Sequence, residues 1–302
     1  MKIGVVINHM ANPATGAPPS YAEMRQVAQA SEAGGIDSIW LFDHLLFRYT
    51  ADTSPAATVG IWECWTLLSA LAEATNRVEL GTLVLCNPFR NPALLAKMAH
   101  TLDEVSGGRV ILGMGAGWHQ PEFDAFGYDF SHRVDRFEEA LQIVKPLLHG
   151  ERVDFQGDHY QVQNCVITPL GPRPAGIPLL VGAGQPRMLR LVARYADQWN
   201  TAWLGTPTAL PERLTRIQAA CADMGRDPAT LAITVGVQVA FPDLGKTNSL
   251  AREPLTGSAA ELADAFDGYE QAGAAHLIIN PTPYSLTAVE RVTEAVRLYR
   301  GN

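Results

Sequence analysis

The stretch VELGTLVLCNPFRNPALLAKMAHTLDEVSGGRVILGMG, residues 78–115, carries the pattern that decides the fold. An apolar, strand-like run (78–86) gives way to Asn91-Pro92, a helical period over 92–105, the glycine pair Gly107-Gly108, and a second apolar run (109–115). A side-chain oxygen at Asn91 can cap the free amides of a first helical turn, and glycine ends a helix readily because it accepts the left-handed backbone. Strand, capped helix, strand is the unit from which parallel sheets are built.

The same alternation runs outward to both ends of the chain. Strand-like runs occupy 2–8, 38–42, 78–86, 109–115, 178–183, 196–201, 231–240 and 276–280, and helical periods occupy 20–34, 62–74, 92–105, 132–149, 186–195, 208–224, 257–272 and 286–299. Thr256-Gly257-Ser258 is a further start signal, and Gly34-Gly35 and Gly150 are further stops. Eight strands alternating with eight helices predict a (β/α)₈ TIM barrel; a doubly wound sheet is the alternative, because alternation alone does not prove closure. A length of 302 residues fits two domains of about 150 residues or one barrel of about 250 with insertions. Without a linker, repeat or low-complexity tract, the expectation is a single domain over 1–302. Four stretches exceed the minimal pattern: 43–61, 115–131, 241–256 and 151–177, the last with the hairpin-like VDFQGDHYQV around Gln156-Gly157-Asp158. Three of them follow strand C-termini, the face where barrel enzymes carry their chemistry.

Composition removes several function classes. Lys and Arg total 23 against 31 Asp and Glu, a formal charge of −8, and Lys2, Lys97, Lys145 and Lys246 are the only lysines. A polybasic face for nucleic acid is excluded. No lysine sits at a strand end, which argues against Schiff-base chemistry. Cys64, Cys86, Cys165 and Cys221 have neither C-x-x-C nor metal-finger spacing, so reduced thiols are expected. The N-terminus MKIGVVINHM is too short for a signal-peptide core and reads as a first strand, and no apolar run approaches the roughly 18 residues of a membrane span. A soluble, cytoplasmic protein acting on a small molecule, with no membrane partner, is the expectation.

In a barrel the candidate site residues sit at strand C-termini. Asp43-His44 after strand two is the sharpest pair, a histidine near neutral pKa beside a carboxylate able to orient it, although a loop ion pair would look the same. His9 and His119 lie at the same mouth, but without H-x-H or close ligand spacing no metal is expected. Two glycine-rich loops follow strands, GMGAGWH (113–119) and VGAGQPRM (181–188); Trp118 and Arg187 stand where a third dinucleotide-motif glycine would be. Gly182-Ala183-Gly184 leads into a helix near Pro186, and its exposed amides, helped by Arg187, suit a phosphate; a plain strand-to-helix turn is the alternative. Trp118 and Trp203 are placed to wall a flat aromatic cofactor.

These residues carry a resemblance. DSIWLFDHLLF (37–47), the segment 76–123, HRVDRFEEALQIVKPLLHGERVDFQGDHY (132–160) and PLLVGAGQPRMLRLVARYADQWN (178–200) resemble the luciferase-like superfamily, (β/α)₈ oxidoreductases using FMN or the deazaflavin coenzyme F420, over essentially the whole chain. The resemblance implies that Asp43 and His44 lie over the deazaflavin ring and serve proton transfer, and that Leu83-Val84 forms a bulge with a non-proline cis peptide behind the ring. It further implies that Gly182, Ala183 and Gly184 receive the cofactor phosphate, that 151–177 shapes the entrance, and that the protein is a homodimer; Gly115, Gly117 and Gln185 of the two glycine-rich loops are further cofactor-binding candidates. Trp118 departs from the acidic residue of the F420-dependent sugar-phosphate dehydrogenases, leaving His119 or Glu122 as replacement acid or base and His9, Trp118 and Trp203 around a more apolar substrate. The expected reaction is hydride transfer between F420 and that substrate. The alternatives are an FMN-dependent monooxygenase served by a separate reductase, and a cofactor-binding protein without turnover.

Overall fold

A computed structural model describes residues 1–12, 16–49, 57–247 and 253–301, together with 52, 54 and 251. Eight parallel strands close into a barrel: β1 (Lys2–Val6), β2 (Ser38–Leu41), β5 (Glu79–Thr82), β7 (Val110–Gly115), β10 (Leu179–Gly182), β11 (Gln198–Leu204), β12 (Ala232–Ala240) and β13 (His276–Thr282). Each pairs with the next, and β13 returns to β1 in the register Lys2↔His276 through Val5↔Ile279, so the doubly wound alternative is excluded. The helices between them are α1 (Tyr21–Ala33), α2 (Cys64–Ala74), α3 (Pro92–Ser106), α5 (Arg133–Leu148), α6 (Pro186–Tyr195), α7 (Leu210–Asp223), α8 (Ala259–Gln271) and α9 (Leu286–Tyr299).

The local chemistry explains where these elements begin. Ser20 and Glu23 form a reciprocal capping box on α1, and Ser258 and Glu261 form one on α8. Asn91 accepts from the amides of Ala93 and Leu94 ahead of α3, and Gly107 takes φ +67° at its end.

The lower barrel is filled by Trp40, with Val6, Ile111, Leu180 and Ile278 around it. Glycines make room for that indole. A Cβ at Gly81 would lie 2.2 Å from ring carbons of Trp40, and one at Gly4 would lie 2.6 Å from its Nε1. The indole N–H donates to Ser38 Oγ at 2.7 Å, and Ser38 Oγ lies 2.7 Å from His276 Nε2, which closes the N-terminal end with a satisfied polar chain.

The long stretches hold short elements of their own. A two-residue hairpin, β3 (Phe47–Arg48) with β4 (Thr58–Val59), follows β2; α4 (Gln120–Phe126) follows β7; and β8 (Val153–Gln156) pairs with β9 (Gln161–Cys165) as the hairpin expected in 151–177. Strand three is not continuous: β5 stops at Thr82 and β6 (Leu85–Cys86) resumes against β7. Of the loop 241–256, residues 248–250 and 252 lie outside the described residues. The four cysteines are free thiols, and no helix among the described residues is long and apolar enough to cross a membrane.

Candidate active site

The break in strand three is where the site begins. Thr82 Oγ1 donates to the Gly113 carbonyl at 2.8 Å and accepts from the Gly113 amide at 3.0 Å, pinning the end of β5 to β7. The Leu83–Val84 peptide beyond it is cis, and both side chains line a cavity of about 320 Å³ at the C-terminal mouth. Gly115 stands behind this wall rather than in it, since a Cβ there would lie 2.8 Å from Val84 Cγ2. Gly117 lines the cavity with φ +84°.

Asp43 and His44 leave β2 in different directions. Asp43, 4% exposed, lines the cavity but has both oxygens committed. Oδ2 accepts from the Cys86 amide at 2.8 Å and Arg90 Nη1 at 2.7 Å, and Oδ1 accepts from Arg90 Nη2 at 3.0 Å. Arg90 also reaches Glu63 at 2.7 Å. Burial opposes the Arg90 charge, but the Asp43 carboxylate leads the groups that outweigh it and leave the guanidinium pKa raised. The sequence reading of Asp43 as the group that orients His44 is therefore corrected: it clamps the strand-three bulge through Cys86 and Arg90.

The carboxylate that faces His44 is Glu122, from the first turn of α4. His44 Nδ1 lies 2.7 Å from Glu122 Oε1, and Glu122 Oε2 accepts the Leu45 amide at 2.6 Å. Glu122 is 2% exposed, so a buried carboxylate holds both the ring and the backbone beside it. With Nδ1–H given to Glu122, the second ring nitrogen is left for chemistry. The imidazole stands edge-on to Phe47 at 5.1 Å and Trp118 at 5.8 Å.

His9 and His119 line neither cavity of this mouth. His9 is fully buried, with Nδ1 3.1 Å from the Ile7 carbonyl and Nε2 3.0 Å from the Phe42 carbonyl, and burial lowers its pKa. His119 Nε2 accepts the Arg48 amide at 3.1 Å, and the ring stacks on Phe47 at 4.5 Å and 3°; burial lowers its pKa too. Both brace the loops around His44.

Gly182, Ala183 and Gly184 lie across the first cavity and lead into α6. Trp199 Nε1 holds the Ala183 carbonyl at 2.9 Å, and nothing lies within 4 Å of a Cβ added at Gly184. Gln185 is the N-cap of α6, makes no side-chain cap bond and lines neither cavity. Arg187 points away, paired with Asp135 at 2.6 Å and Glu138 at 2.9 Å. The cation lining this cavity is instead Arg213 of α7, joined by Asn200, whose Nδ2 donates to Thr234 Oγ1 at 2.9 Å. Periodicity placed α7 but held no signal for which of its residues faces the loop.

A second cavity, about 280 Å³, also borders His44 and is lined by Phe42, Phe47, Tyr49, Gln238, Lys246 and Tyr284 among others. The two cavities share His44, Leu83, Trp118 and Trp203. Trp203 stands edge-on to Phe42 at 5.8 Å, and Trp118 is 64% exposed at the rim. Lys246, in the loop after β12 and beyond the strand's end, is the lysine that lines this cavity.

This geometry has relatives. A ketoreductase of Mycobacterium sp. (strain JLS), the phthiodiolone/phenolphthiodiolone dimycocerosates ketoreductase, is 34% identical over 237 residues, 74% of this chain and 61% of its own length. An F420-dependent glucose-6-phosphate dehydrogenase of Amycolatopsis mediterranei (strain U-32) is 33% identical over 189 residues, 61% of this chain and 53% of its own. The chain thus spans about three fifths of the length of the curated relatives it matches. Among solved structures, an F420-dependent secondary alcohol dehydrogenase in complex with an F420–acetone adduct shares the fold at a TM-score of 0.80 and 19% identity, covering 99% of both chains. The family model for luciferase-like monooxygenases matches residues 1–273, and with the barrel, the broken third strand and these relatives, the chain belongs to that family.

Proposed function

We propose that this protein is an F420-dependent oxidoreductase that passes hydride between the deazaflavin and the carbonyl or carbinol carbon of a fairly apolar organic substrate. The observation that carries the reading is that His44, paired with Glu122, borders both cavities. One contains the Gly182–Gly184 turn, and the other has an aromatic lining.

The first cavity fits such a cofactor. Open space at Gly184, backbone amides entering α6 and the Arg213 guanidinium suit a phosphate, and Leu83 and Val84 offer an apolar wall for a flat ring system. When bound, the deazaflavin supplies the hydride donor or acceptor. The protein then contributes position and proton. His44, oriented by Glu122, gives a proton to the substrate oxygen in the reducing direction and takes it in the oxidising one. Phe42, Phe47 and Trp203 exclude water from the reacting carbon. The mycobacterial relative's name, a ketoreductase, supports the carbonyl assignment, and the departure at Trp118 supports an apolar substrate over a sugar phosphate.

A paired titration tests the cofactor and an absorbance assay tests the reaction. Tight F420 binding with weak FMN binding, and loss of reduced F420 on adding apolar ketones, are the expected results. Tight FMN with weak F420 would replace this reading with the monooxygenase. Tight binding without turnover across ketones and alcohols would replace it with the cofactor-binding protein.

A further inference from the structure

Outside the lining of the two cavities, the first turn of α5 meets the tip of the β8–β9 hairpin. His132, Asp135 and His159 bring one ligating atom each within 4.8 Å of one another. Nδ1 of His132 is 3.1 Å from Asp135 Oδ2, and the two imidazole centroids are 5.7 Å apart. We propose that these three side chains form a site for a borderline divalent cation of the zinc or nickel type. Two imidazoles and a carboxylate are the donor set such ions take, with the remaining position left to water at an exposed site.

Each ligand is held by something else. The tip of the hairpin is strapped to α5 by Glu139, whose carboxylate accepts the amides of Asp158 at 2.8 Å and of His159 and Tyr160 at 2.9 Å. His132 occupies the residue before α5 with φ +52°, a backbone state that non-glycine residues seldom take. Asp135 shares its work between its two oxygens: Oδ1 takes Arg187 at 2.6 Å and Oδ2 faces His132. A partner on the far oxygen is how outer-shell groups orient a ligating carboxylate. Arg187 belongs to the first turn of α6, directly after the glycine turn of the first cavity. A cation here would tie the hairpin to α5 and, through Arg187, to the cofactor-side helix. Calcium and magnesium are disfavoured, since they take six or more oxygens and rarely imidazole.

The experiment uses the full chain without an affinity tag, titrated calorimetrically with zinc chloride and with magnesium chloride. One saturable zinc site per chain is expected, with no magnesium binding at the same concentrations. His159→Ala and Asp135→Asn should each weaken zinc at least tenfold while the circular dichroism stays unchanged and the melting temperature moves little, because none of the three residues is buried in the core. Zinc should also slow proteolysis within residues 156–160 in the wild type and not in His159→Ala. Absence of saturable zinc binding overturns the proposal, as does binding that survives intact in the His132→Ala/His159→Ala double variant, which would place the ion elsewhere.

Discussion

The two ends of the barrel each hold a histidine at the end of a strand, and they are built for opposite purposes. At the N-terminal end, His276 is 4% exposed and its Nε2 faces the uncharged hydroxyl of Ser38, which in turn accepts the Trp40 indole N–H. Burial above all, with Lys2 and the N-terminal amino group adding repulsion, pushes its pKa down to about 3. It is a neutral plug. At the C-terminal end, His44 faces the Glu122 carboxylate, keeps partial exposure and borders both cavities. Position on a strand does not separate a plugged histidine from one that borders a cavity. The partner's charge and the adjoining empty space do.

Variants at the two ends should therefore move different observables. The largest effect belongs to His44→Ala, which should lower hydride transfer about a thousandfold, roughly 4 kcal/mol of barrier, with F420 affinity and melting temperature retained. Activity near wild type would remove His44 from the proposed chemistry. Glu122→Gln keeps the size of the side chain and removes its charge; a loss of about tenfold to a hundredfold in rate is expected, again without a change in stability large enough to explain it. At the closed end, Ser38→Ala strands both Trp40 Nε1 and His276 Nε2 in the interior, so unfolding free energy should drop by about 1–3 kcal/mol while turnover per folded molecule stays constant. A rate defect in Ser38→Ala comparable to that of Glu122→Gln would erase the distinction between the two ends.

How much of this was legible in the sequence follows from what each feature depends on. The strands and helices were readable because buried parallel strands are apolar throughout and the helix ends carry their own signals, Asn91 for α3 and Ser258 for α8. The hairpin β3–β4 and the seven-residue α4 were not, because elements that short are fixed by tertiary contacts. Strand three looked continuous over 78–86, since nothing in GTLVL distinguishes the paired residues from the unpaired Leu83 and Val84. That His44 and the Gly182–Gly184 turn would meet at the barrel mouth was legible from their places at strand ends. The partner of His44 was not: Asp43 is taken by Arg90 and the Cys86 amide, while the carboxylate that meets the ring lies 78 positions along the chain.

The effect that isolates the closed end is a pH dependence. In the unfolded chain His276 titrates at its ordinary value of 6.5, and in the fold its pKa is lowered to about 3. Below 6.5 the unfolded state binds a proton that the folded state refuses, so the contribution of His276 is intact above that pH. It erodes as pH falls toward the folded pKa, by up to about 1.4 kcal/mol per pH unit. His276→Gln removes the titration and keeps a polar side chain near Ser38. The difference in unfolding free energy between wild type and His276→Gln should therefore shrink by about 2 kcal/mol between pH 7 and pH 5. Other titrating groups, including the buried His9 and His119, are common to both proteins and cancel in that difference. Denaturant unfolding at the two pH values reads it directly. Parallel stability curves would mean that His276 accepts a proton within the fold, and the closed end would then be a second charged site rather than a plug.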